Sequence, residues 1–218
     1  MVNDSKSAFT LAEVLITLVI IGVVAALTIP TAISKFRKNQ IETRLKKSYS
    51  TLTNAIKRAE VDHGSVSLLW DTSNLADFIN TYIKPYVSNI KKITVTSSWI
   101  NLYLGDGTMW IIKKNAGIQF VIDINGDSKP NNNGYDRFSF YLLRAAAAYH
   151  NAGDGDVAWN TPTAGVYYDG YGMPKNYLIN SQWRGCSDSC TYGHARSYCS
   201  ALIVRNGWKI PDDYPLNL

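Results

Sequence analysis

The acidic residue Glu13 lies inside an otherwise apolar stretch, and its type and position make it the first candidate for chemistry. Residues 9–29 read FTLAEVLITLVIIGVVAALTI, and Glu13 is the only charged side chain among them. At about 1.5 Å per residue this stretch would form a helix of roughly 31 Å, which matches the hydrocarbon core of a bilayer. A carboxylate in such a helix is costly and usually has a partner or a function.

Residue types alone leave two interpretations of Glu13 open. Thr10 and Glu13 have the spacing of a capping box, in which the two side chains bond the free backbone amides of a helix start. In the other interpretation, a group outside the chain neutralises the carboxylate. A cleaved secretory signal fits the segment less well, because such signals use apolar runs of about 7–15 residues followed by a small-residue cleavage site. The stretch therefore predicts a retained membrane helix.

The sequence SAFTLAE at residues 7–13, followed by the long apolar run, resembles the N-terminus of type IV prepilins and type II secretion pseudopilins. The resemblance implies that a prepilin peptidase cleaves between Ala8 and Phe9 and that the amino group of Phe9 is then methylated. Glu13 is the fifth residue counted from Phe9. The resemblance implies that this carboxylate is the assembly residue, which pairs with the N-terminus of a neighbouring subunit.

The same resemblance implies a pilin-like structural subunit of a bacterial type IV pilus or type II secretion pseudopilus. Such a subunit crosses the inner membrane once, keeps its C-terminal head outside the cytoplasm, contacts membrane lipid, and assembles with copies of itself and with other pilin-like subunits. The alternative function is a membrane-anchored or filament-tip adhesin that binds through aromatic loops of the head, with Trp159 and Tyr167 as candidates. No nucleotide-binding loop, G-x-S-x-G or H-E-x-x-H motif occurs, so we expect no enzymatic activity.

The positive charge is concentrated in one segment. Residues 31–60 contain eight basic side chains and two acidic ones, whereas residues 61–218 contain 13 of each sign. A neutral head does not favour direct nucleic-acid binding. The basic groups form either a solvated helix face or a contact with anionic lipid or acidic neighbours. Their position after the span would by itself favour a cytoplasmic head. They are Lys35, Arg37, Lys38, Arg44, Lys46, Lys47, Lys57 and Arg58.

Hydrophobic periodicity predicts an α+β fold. Apolar residues from Ile33 to Ala59 recur at helical spacing, and Gly64 is placed to end the helix. A short helix is expected at residues 75–83. Period-two patterns then predict antiparallel strands at residues 99–104, 108–113, 118–124 and 137–142. The predicted organisation is a leader at 1–8, a transmembrane or filament-core helix at 9–30, an amphipathic stem helix at 31–63 and a pilin-like head at 64–218.

A loop between the last two predicted strands has the composition of a calcium site. Asp123, Asn125 and Asp127 follow the D-x-N-x-D spacing that opens a calcium loop. The alternative is an Asx-rich turn in which Asn125-Gly126 and Asn133-Gly134 supply positive φ angles. The sequence establishes no cofactor, and this loop makes calcium a candidate.

Three cysteines lie near the C-terminus, at Cys186, Cys190 and Cys199. In an exported chain we expect one disulfide among them, and the sequence does not select the pair. With His194 they also have spacing near that of a zinc knuckle, which is the alternative. The final segment, residues 201–210, predicts a closing strand hairpin around Asn206-Gly207.

Overall fold

The chain divides into two compact units, and the boundary between them lies within one long helix. The first unit ends at Asn39 and the second comprises Gln40–Leu218. The computed structural model describes residues 10–66, 70–114, 117–143, 165–170, 172–190 and 195–218.

Helix α1 spans Leu11–His63 and contains Pro30. In the first unit, its large apolar side chains face outward; Leu27 is 71% exposed and Val19 is 65% exposed. Within the described residues, α1 is the one helix that is long and apolar enough to cross a membrane. Side chains of this kind need lipid or other helices around them, because water solvates them poorly.

In the second unit, α1 buries one side of its surface. Ile41, Leu45, Leu52 and Ala59 are fully buried, and they follow the helical spacing that the sequence predicts. Glu60 accepts a hydrogen bond from the amide of Gly64 through its backbone carbonyl, immediately after the helix. The burial of the predicted apolar stripe begins at Ile41, since Ile33 and Phe36 in the first unit are exposed.

The head contains one six-stranded antiparallel sheet in which each strand pairs with the next along the chain. The strands are β1 (Ile90–Val95), β2 (Trp99–Leu104), β3 (Met109–Lys114), β4 (Ile118–Asp123), β5 (Arg137–Leu143) and β6 (Gly165–Tyr168). The four predicted strands correspond to β2–β5. The sequence analysis did not predict the two edge strands, β1 and β6.

One face of the sheet packs against α1 within the second unit. Trp110, Phe120 and Phe140 on this face are fully buried, in the same core as Leu45 and Leu52. Trp110 also donates its indole N–H to Ser48 Oγ on α1, at 2.5 Å. The prediction of an α+β fold with a helix packed on an antiparallel sheet is confirmed.

Three shorter helices complete the head. Helix α2 (Leu75–Phe78) begins at Asn74, whose side chain accepts the amides of Ala76 and Asp77. A π-helical turn (Ile79–Ile83) and a 3-10 turn (Lys84–Tyr86) continue it, so the predicted helix at 75–83 is present with a changed winding. Helices α3 (Lys175–Asn180) and α4 (Cys199–Arg205) lie nearer the C-terminus.

The predicted strand hairpin at residues 201–210 is wrong. Residues 201–205 belong to α4, and Asn206-Gly207 ends this helix instead of joining two strands. Trp208 donates its amide to Ile203 O at 2.9 Å, and Gly207 donates to Val204 O at 3.1 Å. These two bonds define a Schellman motif, which needs a left-handed residue such as Gly207 (φ 68°) just as a hairpin turn does.

Candidate functional site

The N-terminus of α1 is a capping box built from Thr10 and Glu13. The backbone amide and the hydroxyl of Thr10 both donate to Glu13 Oε2 at 2.8 Å. In return, the amide of Glu13 donates to Thr10 Oγ1 at 3.2 Å. The capping interpretation of the sequence is therefore confirmed, and it fixes the carboxylate at the first helical turn.

The cap uses one oxygen of the Glu13 carboxylate. Oε1 of Glu13 accepts no hydrogen bond from the part of the chain that the structure describes. The side chain is exposed, so a donor from outside the chain can approach it. Capping and pairing with a neighbour are thus compatible uses of the same carboxylate. Ala8 and Phe9 lie outside the described residues, and their cleavage and methylation stay predictions.

The loop after β4 is held by two buried carboxylates. Asp123 is fully buried; its Oδ2 accepts from Arg137 Nε at 2.8 Å and its Oδ1 accepts from the amide of Asn125 at 3.2 Å. Asp136 accepts the amides of Asn131 and Asn132, both at 2.7 Å. The loop therefore takes its shape from carboxylate–amide bonds and one buried ion pair.

Both carboxylates among the predicted calcium ligands have protein partners, whereas Asn125 Oδ1 is buried and accepts no hydrogen bond from the described residues. Asp123 pairs with Arg137, and Asp127 Oδ1 accepts from the hydroxyl of Tyr103 at 3.1 Å. The side-chain amide of Asn125 donates to Lys129 O at 3.3 Å. Among the described residues, no cluster of three His, Cys, Asp or Glu side chains has the arrangement of a metal site. Calcium binding stays a prediction. A cation bound at Asp123 would compete with the Arg137 guanidinium for the same carboxylate.

Burial raises the pKa of Asp123 to about 6, although the hydrogen bonds from Arg137 and from the amide of Asn125 lower it. Asp106, at the β2–β3 turn, behaves in the opposite way. Hydrogen bonds from Lys47 and Thr108 outweigh its partial burial and lower its pKa to about 2. The two carboxylates thus respond to pH over different ranges.

Cys186 and Cys199 form a disulfide, with their Cα atoms 4.8 Å apart. Cys190 is free and buried, and its Sγ donates to Gln182 O at 3.0 Å. The disulfide takes two of the four ligands that a zinc site would need, so the structure favours the disulfide interpretation. His194, the fourth zinc candidate, lies outside the described residues.

Polar contacts join the head to α1 within the second unit. Glu42 is nearly buried; its Oε2 accepts from Lys209 Nζ at 2.6 Å and its Oε1 accepts from the amide of Ile210 at 2.9 Å. Glu42 was not singled out from the sequence. Its spacing of three from Leu45 places it on the apolar stripe, and this is the signal that could have identified it.

Two basic residues of α1 also contact the head, so the basic segment is not simply a solvated face. Arg44 Nη1 donates to Ile124 O at 2.8 Å, and Lys47 Nζ pairs with Asp106 Oδ2 at 2.7 Å. The first contact holds the start of the loop that follows β4. The second holds the β2–β3 turn against the helix.

Comparison with known families agrees with this geometry at the N-terminus. Residues 3–29 match the prokaryotic N-terminal methylation motif. The chain is therefore a type IV prepilin-like protein with an N-terminal apolar helix, as the resemblance predicts. Residues 31–218 match a family of unknown function, DUF6613, and the chain belongs to this family. No curated protein and no solved structure is significantly similar to the chain.

The first prediction concerns the buried pair Asp123–Arg137. Since the pKa of Asp123 is raised by folding, its contribution to stability is present below about pH 4 and decreases as the pH rises through about 6. Arg137→Met removes the partner that lowers this pKa. We expect the variant to lose about 3 kcal/mol of unfolding free energy near pH 7.5, and clearly less near pH 4.5, where Asp123 is protonated in both proteins.

Urea unfolding of the full chain in detergent at the two pH values measures this effect. The control is Lys47→Met, which breaks a pair whose lysine is 62% exposed and should cost about 0.5 kcal/mol. An equal loss at both pH values in Arg137→Met would show that the Asp123 charge is not the cause.

The second prediction concerns the disulfide. Replacing both Cys186 and Cys199 with Ser should lower the unfolding free energy by about 3 kcal/mol, because a closed loop of this size restricts the unfolded chain. Cys190→Ser should leave the disulfide intact. Non-reducing peptide mapping by mass spectrometry checks the pairing, and a cross-linked peptide that contains Cys190 would contradict it.

Proposed function

We propose that this chain is a structural subunit of a bacterial type IV pilus or type II secretion pseudopilus. In this proposal a prepilin peptidase cleaves between Ala8 and Phe9, the new amino group is methylated, and the N-terminal helices assemble into a filament core. The observation that carries the proposal is a prepilin methylation motif placed at the start of an exposed, apolar helix.

The geometry of Glu13 supports its role in assembly. A carboxylate that remains ionised in an apolar environment needs a positive partner. The Thr10 cap supplies two neutral donors and no charge. The α-amino group of a processed Phe9 is a cation that sits at the same depth of the membrane on a neighbouring copy. It can approach Oε1, which the cap leaves available.

The exposed surface of α1 in the first unit supports helix–helix assembly. Its apolar side chains cover the helix from Leu11 to Ile29, and nothing lies within 4 Å of a Cβ placed on Gly22. Gly22 and Ala26 are one turn apart and permit close approach of another helix. Such a helix is stable in lipid as a single span and in a filament as part of a bundle.

We also propose that the chain crosses the inner membrane once, with its head outside the cytoplasm, and that its role is not enzymatic. The Cys186–Cys199 disulfide supports this orientation, because disulfides persist in oxidising compartments and are rare in the cytosol. This argument outweighs the charge bias of the segment after the span, which is a tendency that exported proteins can override.

The third prediction tests processing and assembly together. In the native host, we expect the mature chain to begin at methylated Phe9, which intact-protein mass spectrometry detects. We expect Glu13→Gln to lower the amount of subunit in sheared filaments by at least about tenfold, because the charge partner of the neighbouring N-terminus is lost. Processing itself should continue.

Two controls separate assembly from helix capping. Thr10→Ala removes the two cap bonds that need the hydroxyl and keeps the carboxylate, so we expect it to assemble. Asp77→Asn neutralises an exposed acid in α2 and should have no effect. If Thr10→Ala fails as severely as Glu13→Gln, the carboxylate acts only as a cap. A mature chain that keeps residues 1–8 would refute the proposal as a whole.

One surface of the head favours the alternative function, an adhesin. Trp183 is 45% exposed and follows the last lining residue of a shallow cavity of about 290 Å³. The exposed lining of the cavity is mostly apolar, and the residues that form it carry amide and hydroxyl groups that can bind sugar hydroxyls. The cavity is lined by Asn176, Tyr177, Asn180, Ser181 and Gln182. The earlier candidate Tyr167 lies in β6, and Trp159 lies outside the described residues.

The fourth prediction distinguishes the two functions. If the head is an adhesin, Trp183→Ala should abolish binding to a glycan array while Trp99→Ala, which alters another exposed tryptophan, retains it. If the head is a structural element only, the wild-type chain should bind no glycan above background. In that case Trp183→Ala should assemble normally.

A further inference from the structure

Three cations of the first unit have no partner among the residues that the structure describes. Lys35, Arg37 and Lys38 make no hydrogen bond or ion pair within the described part of the chain, and Lys35 and Arg37 are exposed. We refer to these three residues as the basic collar. The other exposed residues around them include two large apolar side chains, Ile33 (58% exposed) and Phe36 (70% exposed).

The basic residues farther along α1 differ, because several of them contact the head. Arg44 bonds a backbone carbonyl, Lys47 pairs with a carboxylate, and the Arg58 guanidinium lies 5.7 Å from the centre of a tyrosine ring. The eight cations of residues 31–60 therefore include some that contact the head and some that do not. The basic collar is the group that lies next to the apolar span and remains without a role.

The backbone of the basic collar lies just beyond the headgroup layer, at a distance that long basic side chains can span. Ile29 is the last residue of the apolar run, and the collar follows six to nine residues later. At about 1.5 Å per residue, these cations lie roughly 9–14 Å beyond the hydrocarbon core. Headgroups occupy the first several ångströms beyond the core, and long basic side chains can extend back toward them.

The three cations occupy one half of the helix circumference, and apolar side chains occupy the other half. With about 100° of rotation per residue, Arg37 lies about 200° and Lys38 about 300° from Lys35. Ile33 and Phe36 occupy the remaining sector. A helix that crosses the membrane interface has headgroups on every side, so the cations face headgroups at any rotation of the helix. An exposed aromatic side chain at this level is also typical of the membrane interface.

We propose that the basic collar binds the phosphate groups of anionic phospholipids while the subunit resides in the membrane before assembly. The bound headgroups would hold the helix at a fixed depth and would be released when the subunit enters the filament. This proposal rests on the membrane residence included in the proposed function, and it does not depend on processing or on Glu13.

Electron paramagnetic resonance of the full chain in nanodiscs tests the proposal. Single copies are placed in phosphatidylcholine that contains trace spin-labelled phosphatidylglycerol or spin-labelled phosphatidylcholine, and the motionally restricted fraction of each probe is measured. We expect wild-type chain to prefer phosphatidylglycerol by about fivefold, the gain that one well-placed cation gives near an anionic headgroup. The K35Q/R37Q/K38Q variant should show about equal association of both probes.

The matched control is K46Q/K57Q/K91Q, which removes the same charge from three exposed lysines of the second unit. It should keep the preference of the wild-type chain. Equal loss in both variants would assign the preference to net charge and overturn the proposal. Absence of any preference in the wild-type chain would also overturn it, and reduced filament assembly of the collar variant would then indicate an acidic protein partner.

The experiment separates this proposal from the proposed function. If the chain spans nanodiscs and prefers phosphatidylglycerol but forms no filament in cells, the filament role fails and the lipid site stands. If filaments form and no lipid preference is found, the lipid site fails alone.

Discussion

The carboxylate of Glu13 is the one side-chain charge in an apolar segment that is long enough to span a bilayer. The chain itself offers this carboxylate two neutral donors from Thr10, which orient it without neutralising it. Among the described residues no cation neutralises this carboxylate, so it remains available to a positive group. A helix with one unmatched acid near its start is poorly suited to remain alone, and this property connects the sequence of the first unit to assembly.

In the second unit, polar side chains of α1 have partners in the head. This part of α1 buries an apolar stripe against the sheet, and the polar atoms on that side have specific partners: Ser48 accepts from Trp110, and Glu42 accepts from the C-terminal segment. Arg44 and Lys47 hold two loops of the head. The second-unit part of α1 therefore packs against the head of its own chain. The first-unit part exposes apolar side chains, which need lipid or neighbouring helices around them.

Much of this architecture could be predicted from local sequence patterns. The elements that were not predicted, or were predicted wrongly, have physical explanations. The central strands β2–β5 carry apolar residues on a buried face, and this period-two signal located them. The edge strand β1 carries two adjacent lysines, and β6 has only four residues, so neither shows a clear pattern. The sequence predicts a strand where helix α4 lies, because a short run of branched apolar residues is compatible with a helix and with a strand. A left-handed glycine can also end either kind of element.

The features of the candidate site also divide into those that local sequence spacing predicts and those that depend on the fold. The capping box follows from the spacing of Thr10 and Glu13, since both partners lie within one helical turn. The pairing of Cys186 with Cys199 and the bonds of Glu42 depend on residues that only the fold brings together. No local pattern indicates that Arg137 neutralises Asp123, because strand register, not sequence spacing, places the guanidinium beside the carboxylate.

The attachment of Glu42 to Lys209 and Ile210 has a consequence for the order of biogenesis. These contacts join residues 167 and 168 positions apart in the chain. Until residues 209 and 210 have been synthesised, Glu42 lacks both of these partners. Contacts over so large a sequence separation form late in folding, so the C-terminal segment joins α1 after the local elements of the head have formed.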